Sequence, residues 1–153
     1  MATAAAPKPA PRPLYMAEPP ARFLARAPLV VDASLVCALL FDEPERDEAL
    51  ARLTSRRLFA PRLLDLEIVQ VALKKARRGL PEAAATQALN DYAQLDIDLI
   101  QIDFPAPFEL AQRYGLSAYD ASYLWLAAEL KAPLASFDRQ LAEAARQHLS
   151  ELD

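Results

Sequence analysis

From Pro28 onward the chain alternates short runs of branched residues with longer helical stretches, and no other feature narrows its possible folds so far. The strand-like runs are Leu29-Val30-Val31, Leu58-Phe59-Ala60, Asp96 to Asp103 (DIDLIQID) and Pro133-Leu134-Ala135-Ser136. Between and after them lie the helical stretches SLVCALLF, EPERDEALARLTS, LLDLEIVQVALKKARR, PEAAATQALNDYAQL, PAPFELAQRY, SAYDASYLWLAAELK and DRQLAEAARQHL. Local chemistry marks their ends. Acids front the second stretch, Gly79 stops the third, Pro81 opens the fourth and Gly115 closes the fifth. Strands separated by helices cannot pair through tight hairpins, so the expected class is α/β, a parallel sheet with helices on its faces. Working sites in such sheets lie at the carboxyl ends of the strands.

The length of 153 residues predicts one domain, taken as residues 28–153. The stretch before it, residues 1–27, carries Pro7, Pro9, Pro11, Pro13, Pro19 and Pro20. So many prolines forbid a regular helix or central strand, and the segment reads as an extended, poorly ordered tail, dispensable for folding. No apolar run reaches the roughly 20 residues of a membrane span, and the N-terminus lacks a signal-peptide layout, so a cytoplasmic address without membrane attachment is expected.

What the chain lacks excludes much chemistry. Cys37 is the sole cysteine and His148 the sole histidine, which rules out a Cys/His zinc site and any Ser-His-Asp or Cys-His pair. Cys37 itself, inside LVCALL, is expected to be a buried and inert thiol. Any metal must be held by oxygen, which favours Mg²⁺ or Mn²⁺. With Gly79 and Gly115 as the only glycines, no glycine-rich phosphate loop can form. The net charge of −4 argues against passive coating of nucleic acid, yet allows local contact through a small basic patch and a bound metal.

Four acids stand where a solvated carboxylate would not. Asp32 ends the run LVV just before a helix, a position that suits an N-cap and a site carboxylate equally. Ser34, two residues on, offers a hydroxyl beside it. Glu67 shares its helical face with Leu63, Leu64 and Val71, where an ionised carboxylate needs a cation, either a metal or a basic side chain. Asp120 neighbours Leu116, Tyr123, Leu124 and Ala127 in helical spacing, although Ser117 three residues earlier also suggests a capping pair. Asp138 follows PLAS and Phe137 and opens the last helix, again as cap or site residue. Carboxylates gathered at one point repel unless a divalent cation sits among them, and metal-assisted phosphodiester hydrolysis uses such a cluster.

The segments VVDASLVCALL, PRLLDLEIVQVALKK, LSAYDASYLWLAAEL and APLASFDRQLAEAA resemble, in order and spacing, the PIN-domain family, particularly its VapC-type toxins. The resemblance runs from about Pro28 to Ala145. It implies a three-layer α/β/α sandwich with a central parallel sheet and a Mg²⁺- or Mn²⁺-dependent endoribonuclease. It also implies that Asp32, Glu67, Asp120 and Asp138 are the catalytic metal-site acids, with Ser34 and Ser136 in support. Asp32 and Asp120 are expected to face the surface of a shared pocket, so that Asn at either abolishes cleavage and leaves the fold intact. Two departures stand out: Gln70 occupies a position that is often Asn in the family, and the usual last strand is hard to find after HLSELD.

Lys74 and Arg78, two and three turns beyond Glu67 on about the same face, are expected to grip RNA phosphates, against the alternative of a solvated basic helix end. The toxin resemblance further implies a cognate antitoxin protein, with an inserted Arg or Lys blocking the acidic pocket, and a homodimer. A receiver-like signalling domain would need paired acids after the first strand and a late lysine, and a haloacid-dehalogenase-type phosphatase would need Asp at position 34. The remaining alternatives are a catalytically inactive PIN-like RNA- or protein-binding module and a housekeeping RNA-processing nuclease. Retention of all four motif acids speaks against the inactive module.

Overall fold

The computed structural model describes residues 26–152. Residues 1–25 of the proline-rich tail expected over 1–27 lie outside the described residues, and Ala27 already opens the first strand. Strands β1 (Ala27–Val31), β2 (Arg56–Pro61), β3 (Ile97–Ile100) and β4 (Leu134–Ala135) form one sheet, parallel throughout, in the order β3-β2-β1-β4. Helices α1 (Ala33–Leu40) and α2 (Arg46–Leu53) join β1 to β2, and α3 (Leu64–Arg77) and α4 (Glu82–Ala93) join β2 to β3. Then α5 (Pro105–Tyr114) and α6 (Ala118–Glu129) lead to β4, and α7 (Arg139–Ser150) follows it.

The chain steps outward from β1 to β3 and then returns to the far side of β1. Because parallel crossovers are right-handed, the two directions of travel place their helices on opposite faces of the sheet. Accordingly α1 packs on α2, α3 and α4, whereas α6 packs on α5, α7 and the sheet. The result is the expected α/β/α sandwich. Strand order reverses between β1 and β4, and the carboxyl ends of these two strands lead into Asp32 and Ser136. Open α/β sheets bind ligands in the crevice beside such a reversal.

Burial explains why α6 has no polar face in its middle: every residue from Ala121 to Ala127 is buried. Val30, Val31, Leu64, Ile68 and Leu141 complete the densest part of the core. Burying a side chain such as Leu64 or Ile68 contributes about 1.5–3 kcal/mol each, so the helices that carry the candidate acids are firmly seated.

Strand lengths differ from the sequence expectation where a partner decides them. The run Asp96–Asp103 keeps only Ile97–Ile100 as strand, since β2 ends opposite Ile100 and the Arg62 N–H closes the ladder on the Ile100 carbonyl. Conversely β2 reaches back to Arg56, which pairs with Ala27 at the start of β1. Helix α2 starts at Arg46 rather than at Glu43, because Glu43 belongs to the turn that ends α1. Among the described residues no strand follows α7, and β4 is left at the sheet edge.

Candidate active site

Asp32 leaves β1 in extended backbone and caps α1: its Oδ1 accepts the Leu35 N–H at 3.0 Å. The same oxygen accepts the Ser34 hydroxyl at 2.7 Å, and Oδ2 accepts the Ser136 hydroxyl at 2.5 Å. One side chain therefore caps α1 and also takes two hydroxyl bonds. Contrary to the expected surface position, Asp32 is buried, with 4% exposure. It sits behind the rim because β1 is an inner strand, flanked by β2 and β4.

Glu67, half-buried on α3, accepts a short hydrogen bond from the Tyr123 hydroxyl on α6. Asp120, half-buried in the first turn of α6, accepts the Ser117 hydroxyl at 2.7 Å, while its own N–H donates to Ser117 Oγ at 3.0 Å. The suspected capping pair at Ser117 is thus real, and it holds the Asp120 carboxylate as well as the helix end. Sequence alone shows Tyr123 only as a core neighbour and Ser117 only as a cap. The signal for Tyr123 was its hydroxyl, one helical turn after Asp120 in a stripe otherwise built of apolar residues.

Electrostatically these three acids form one group. Burial pushes the Asp32 carboxyl above its ordinary value; the bonds from Ser136, Ser34 and Leu35 oppose this, and the Asp120 charge adds to it. Burial likewise raises Glu67, opposed by the Tyr123 hydroxyl and reinforced by Asp32 and Asp120. Like charges close together favour the protonated form. Cys37 is pushed up to about 12 by burial, an inert thiol as expected.

Asp138 stands apart from that group. It is exposed, and its carboxylate caps α7 by accepting the Leu141 N–H at 2.8 Å. Its link to the others runs through Ser136, whose Oγ accepts the Asp138 N–H at 2.8 Å and donates to Asp32. Ser34 and Ser136 also meet each other, 3.5 Å apart. Lys74 on α3 and Arg78 at its C-cap are exposed; Lys75, between them, pairs with Glu43 at 2.8 Å.

The donor set is all oxygen, which suits Mg²⁺ or Mn²⁺ and not a softer metal. Among the described residues no three acidic, histidine or cysteine side chains stand close enough to enclose an ion as they are placed. Asp32, Glu67 and Asp120 are each held by a hydroxyl. Those bonds offset only part of the cost of three neighbouring carboxylates, and a divalent cation is the group whose charge would offset the rest.

A parallel α/β/α sandwich with carboxylates at its β1/β4 crevice defines a class, and the comparisons agree on it: the PIN domain family matches residues 29–147, so the chain belongs to that family. It is 36% identical over 122 residues to Ribonuclease VapC3 of Pyrobaculum aerophilum, covering 75% of this chain and 92% of that protein. VapC ribonuclease Mb0985 of Mycobacterium bovis and Ribonuclease VapC9 of Mycobacterium tuberculosis are each 33% identical over 118 residues, covering 75% of this chain and 89% of theirs. The crystal structure of PAE2754 from Pyrobaculum aerophilum shares the fold, with a TM-score of 0.64 at 24% identity over 83% of this chain and 96% of that one.

Proposed function

We propose that the chain is a Mg²⁺- or Mn²⁺-dependent endoribonuclease, the toxin of a toxin–antitoxin pair acting in the cytoplasm. The observation that carries this reading is the electrostatic group Asp32, Glu67 and Asp120, brought from three separate elements to the crevice where the strand order reverses. The names of the relatives support the ribonuclease activity. No helix among the described residues is long and apolar enough to cross a membrane.

In this reading Asp32, Glu67 and Asp120 hold the metal, and Asp138 completes the acidic set from the start of α7. When bound, the cation activates a water and stabilises charge on the scissile phosphate. The chain's own hydroxyls do the positioning. Ser34 and Ser136 fix both oxygens of Asp32, Tyr123 aims Glu67, and Ser117 holds Asp120. Lys74 and Arg78 lie about 10 and 16 Å beyond Glu67 along α3 and take RNA phosphates. An antitoxin blocks the pocket with an Arg or Lys paired to the carboxylates. A homodimer is supported by the exposed apolar stripe Leu66, Val69 and Leu73 on α3.

The test has two parts. Purified protein is incubated with total RNA, with Mg²⁺ or with chelator, and the chain is expressed from an inducible promoter alone or with its genomic neighbour. Mg²⁺-dependent cleavage and an Asp32-dependent growth arrest relieved by the neighbour are expected. Full cleavage in excess chelator would refute the metal site. Harmless expression of a folded, RNA-cleaving protein would make it a housekeeping nuclease instead.

A further inference from the structure

Beside the acidic crevice lies a second hollow that the proposed chemistry leaves unused. It has a volume of about 310 Å³ and is lined by Ser34, Cys37, Glu43, Val71 and Phe137, with Ala33 and the exposed Glu45. That size falls at the small end of the roughly 300–1,000 Å³ range of small-molecule sites. Ser34 belongs to both places, so whatever fills the hollow sits directly next to the Asp32 carboxylate that Ser34 holds.

The hollow is built rather than incidental. Helix α1 ends in a Schellman turn: Asp42 takes the left-handed conformation, φ 51°, and the Glu43 N–H reaches back to the Ala38 carbonyl at 3.1 Å. The turn folds Glu43 back over α1 and toward α3. There Lys75 pairs with its Oε1 at 2.8 Å, and the Lys75 ammonium lies 5.2 Å from the centre of the Phe41 ring. Both partners of the ion pair are about two-thirds buried, with side-chain exposures of 33% and 31%. Lys75 is not among the lining residues; it holds the Glu43 carboxylate through the ion pair. Phe137, 36% exposed, adds an aromatic residue to the lining, and its backbone N–H donates to Ser34 Oγ at 2.9 Å. Val71 and Cys37 supply apolar wall.

We propose that this hollow receives the nucleobase next to the scissile phosphate and selects guanine. An aromatic ring beside an apolar wall is what stacks a base drawn out of a single strand. A fixed carboxylate at the end of such a slot accepts hydrogen bonds and donates none. Guanine alone among the four bases offers two adjacent donors, N1–H and the N2 amino group, on its Watson–Crick edge. Adenine and cytosine offer a single amino group there, and uracil one imino N–H flanked by acceptors that the carboxylate repels. The proposal rests on the ribonuclease reading and names its specificity residue, Glu43, with Phe137 as the stacking platform.

The test titrates GMP, AMP, CMP and UMP into the full chain by calorimetry and, separately, maps cleavage sites on random-sequence RNA in Mg²⁺. GMP should bind roughly 5- to 150-fold more tightly than the others, the range that a bidentate base contact gives, and cuts should gather beside guanine. Glu43→Gln should erase the preference in both assays, and Phe137→Ala should weaken all four nucleotides together. Lys75→Met, which frees the carboxylate without removing it, should reduce the preference and serves if Glu43→Gln does not fold. Equal binding of the four nucleotides, a GMP preference that survives Glu43→Gln, or cut sites indifferent to guanine would each overturn the pocket, and the last would leave the nuclease standing. A Glu43-dependent GMP preference without any RNA cleavage would support the pocket and sink the ribonuclease reading.

Discussion

Asp32 caps α1 and, in the proposed reading, also holds the metal; a pair of substitutions can divide the two tasks. Asn keeps an Oδ1 that can accept from the Leu35 N–H and the Ser34 hydroxyl, the 3.0 and 2.7 Å bonds of the native side chain. Its amide group replaces Oδ2, so the Ser136 hydroxyl must turn from donating to accepting, which a hydroxyl can do. Asn is as good an N-cap as Asp, and the buried negative charge is gone. Ala loses the cap, worth about 1 kcal/mol, and the Ser34 and Ser136 bonds, worth about 1 kcal/mol each. Asp32→Ala should therefore be about 3 kcal/mol less stable than Asp32→Asn, which for a chain of this size separates their Tm values by roughly 6–12 °C. In chelator at neutral pH Asp32→Asn should be at least as stable as the native chain, because burial disfavours the charged form that it removes. Both variants should lose Mg²⁺-dependent cleavage. The assay is urea and thermal unfolding in excess chelator, with RNA cleavage measured alongside. Equal losses of stability in the two variants would refute the capping role, and an Asp32→Asn protein that cleaves normally would refute the site.

Asp32 and Glu67 have folded values above their ordinary 3.8 and 4.5; between the ordinary and the raised values the folded state holds more protons, so in chelator stability should fall as pH rises through that window. Urea midpoints across the window, taken as the difference between the native chain and Asp32→Asn so that His148 cancels, should show the Asp32 share of that fall, and Mg²⁺ should reduce it; a flat difference would refute the raised Asp32 value. Tyr123→Phe removes the hydroxyl that opposes the rise at Glu67, and at a half-exposed carboxylate the loss is near the low end for a charged hydrogen bond, about 1.5 kcal/mol. The Glu67 titration, followed by carboxyl NMR, and the acid limb of the cleavage profile should both move up; an unmoved limb would refute the positioning role. Neutralising Lys74 and Arg78 together should reduce the salt slope of RNA binding by about 1.4, two phosphates at about 0.7 each, and an unchanged slope would mark them as a solvated helix end.

Local chemistry alone determines most of the element list. Helix α5 runs over Pro105–Tyr114, the stretch PAPFELAQRY read from its opening prolines and from Gly115, which closes it at φ 65°. The alternation of strand and helix was enough for a parallel α/β sheet, and the ordered motifs around Asp32, Glu67, Asp120 and Asp138 were enough for the family. Strand ends were not legible, because a strand extends only as far as a partner from elsewhere in the chain pairs with it, as Ile100 does with Pro61. Nor could spacing show which carboxylates become electrostatic neighbours. Asp32, Glu67 and Asp120 become electrostatic neighbours because strand order reverses between β1 and β4 and α6 lies against the sheet, while Asp138, in an equally recognisable motif, stands apart from them and caps α7. The hydroxyls of Tyr123 and Ser136 lie 56 and 104 residues from the acids they hold. Periodicity within a segment reports which face is buried; the partner that face meets is decided by packing across the whole chain.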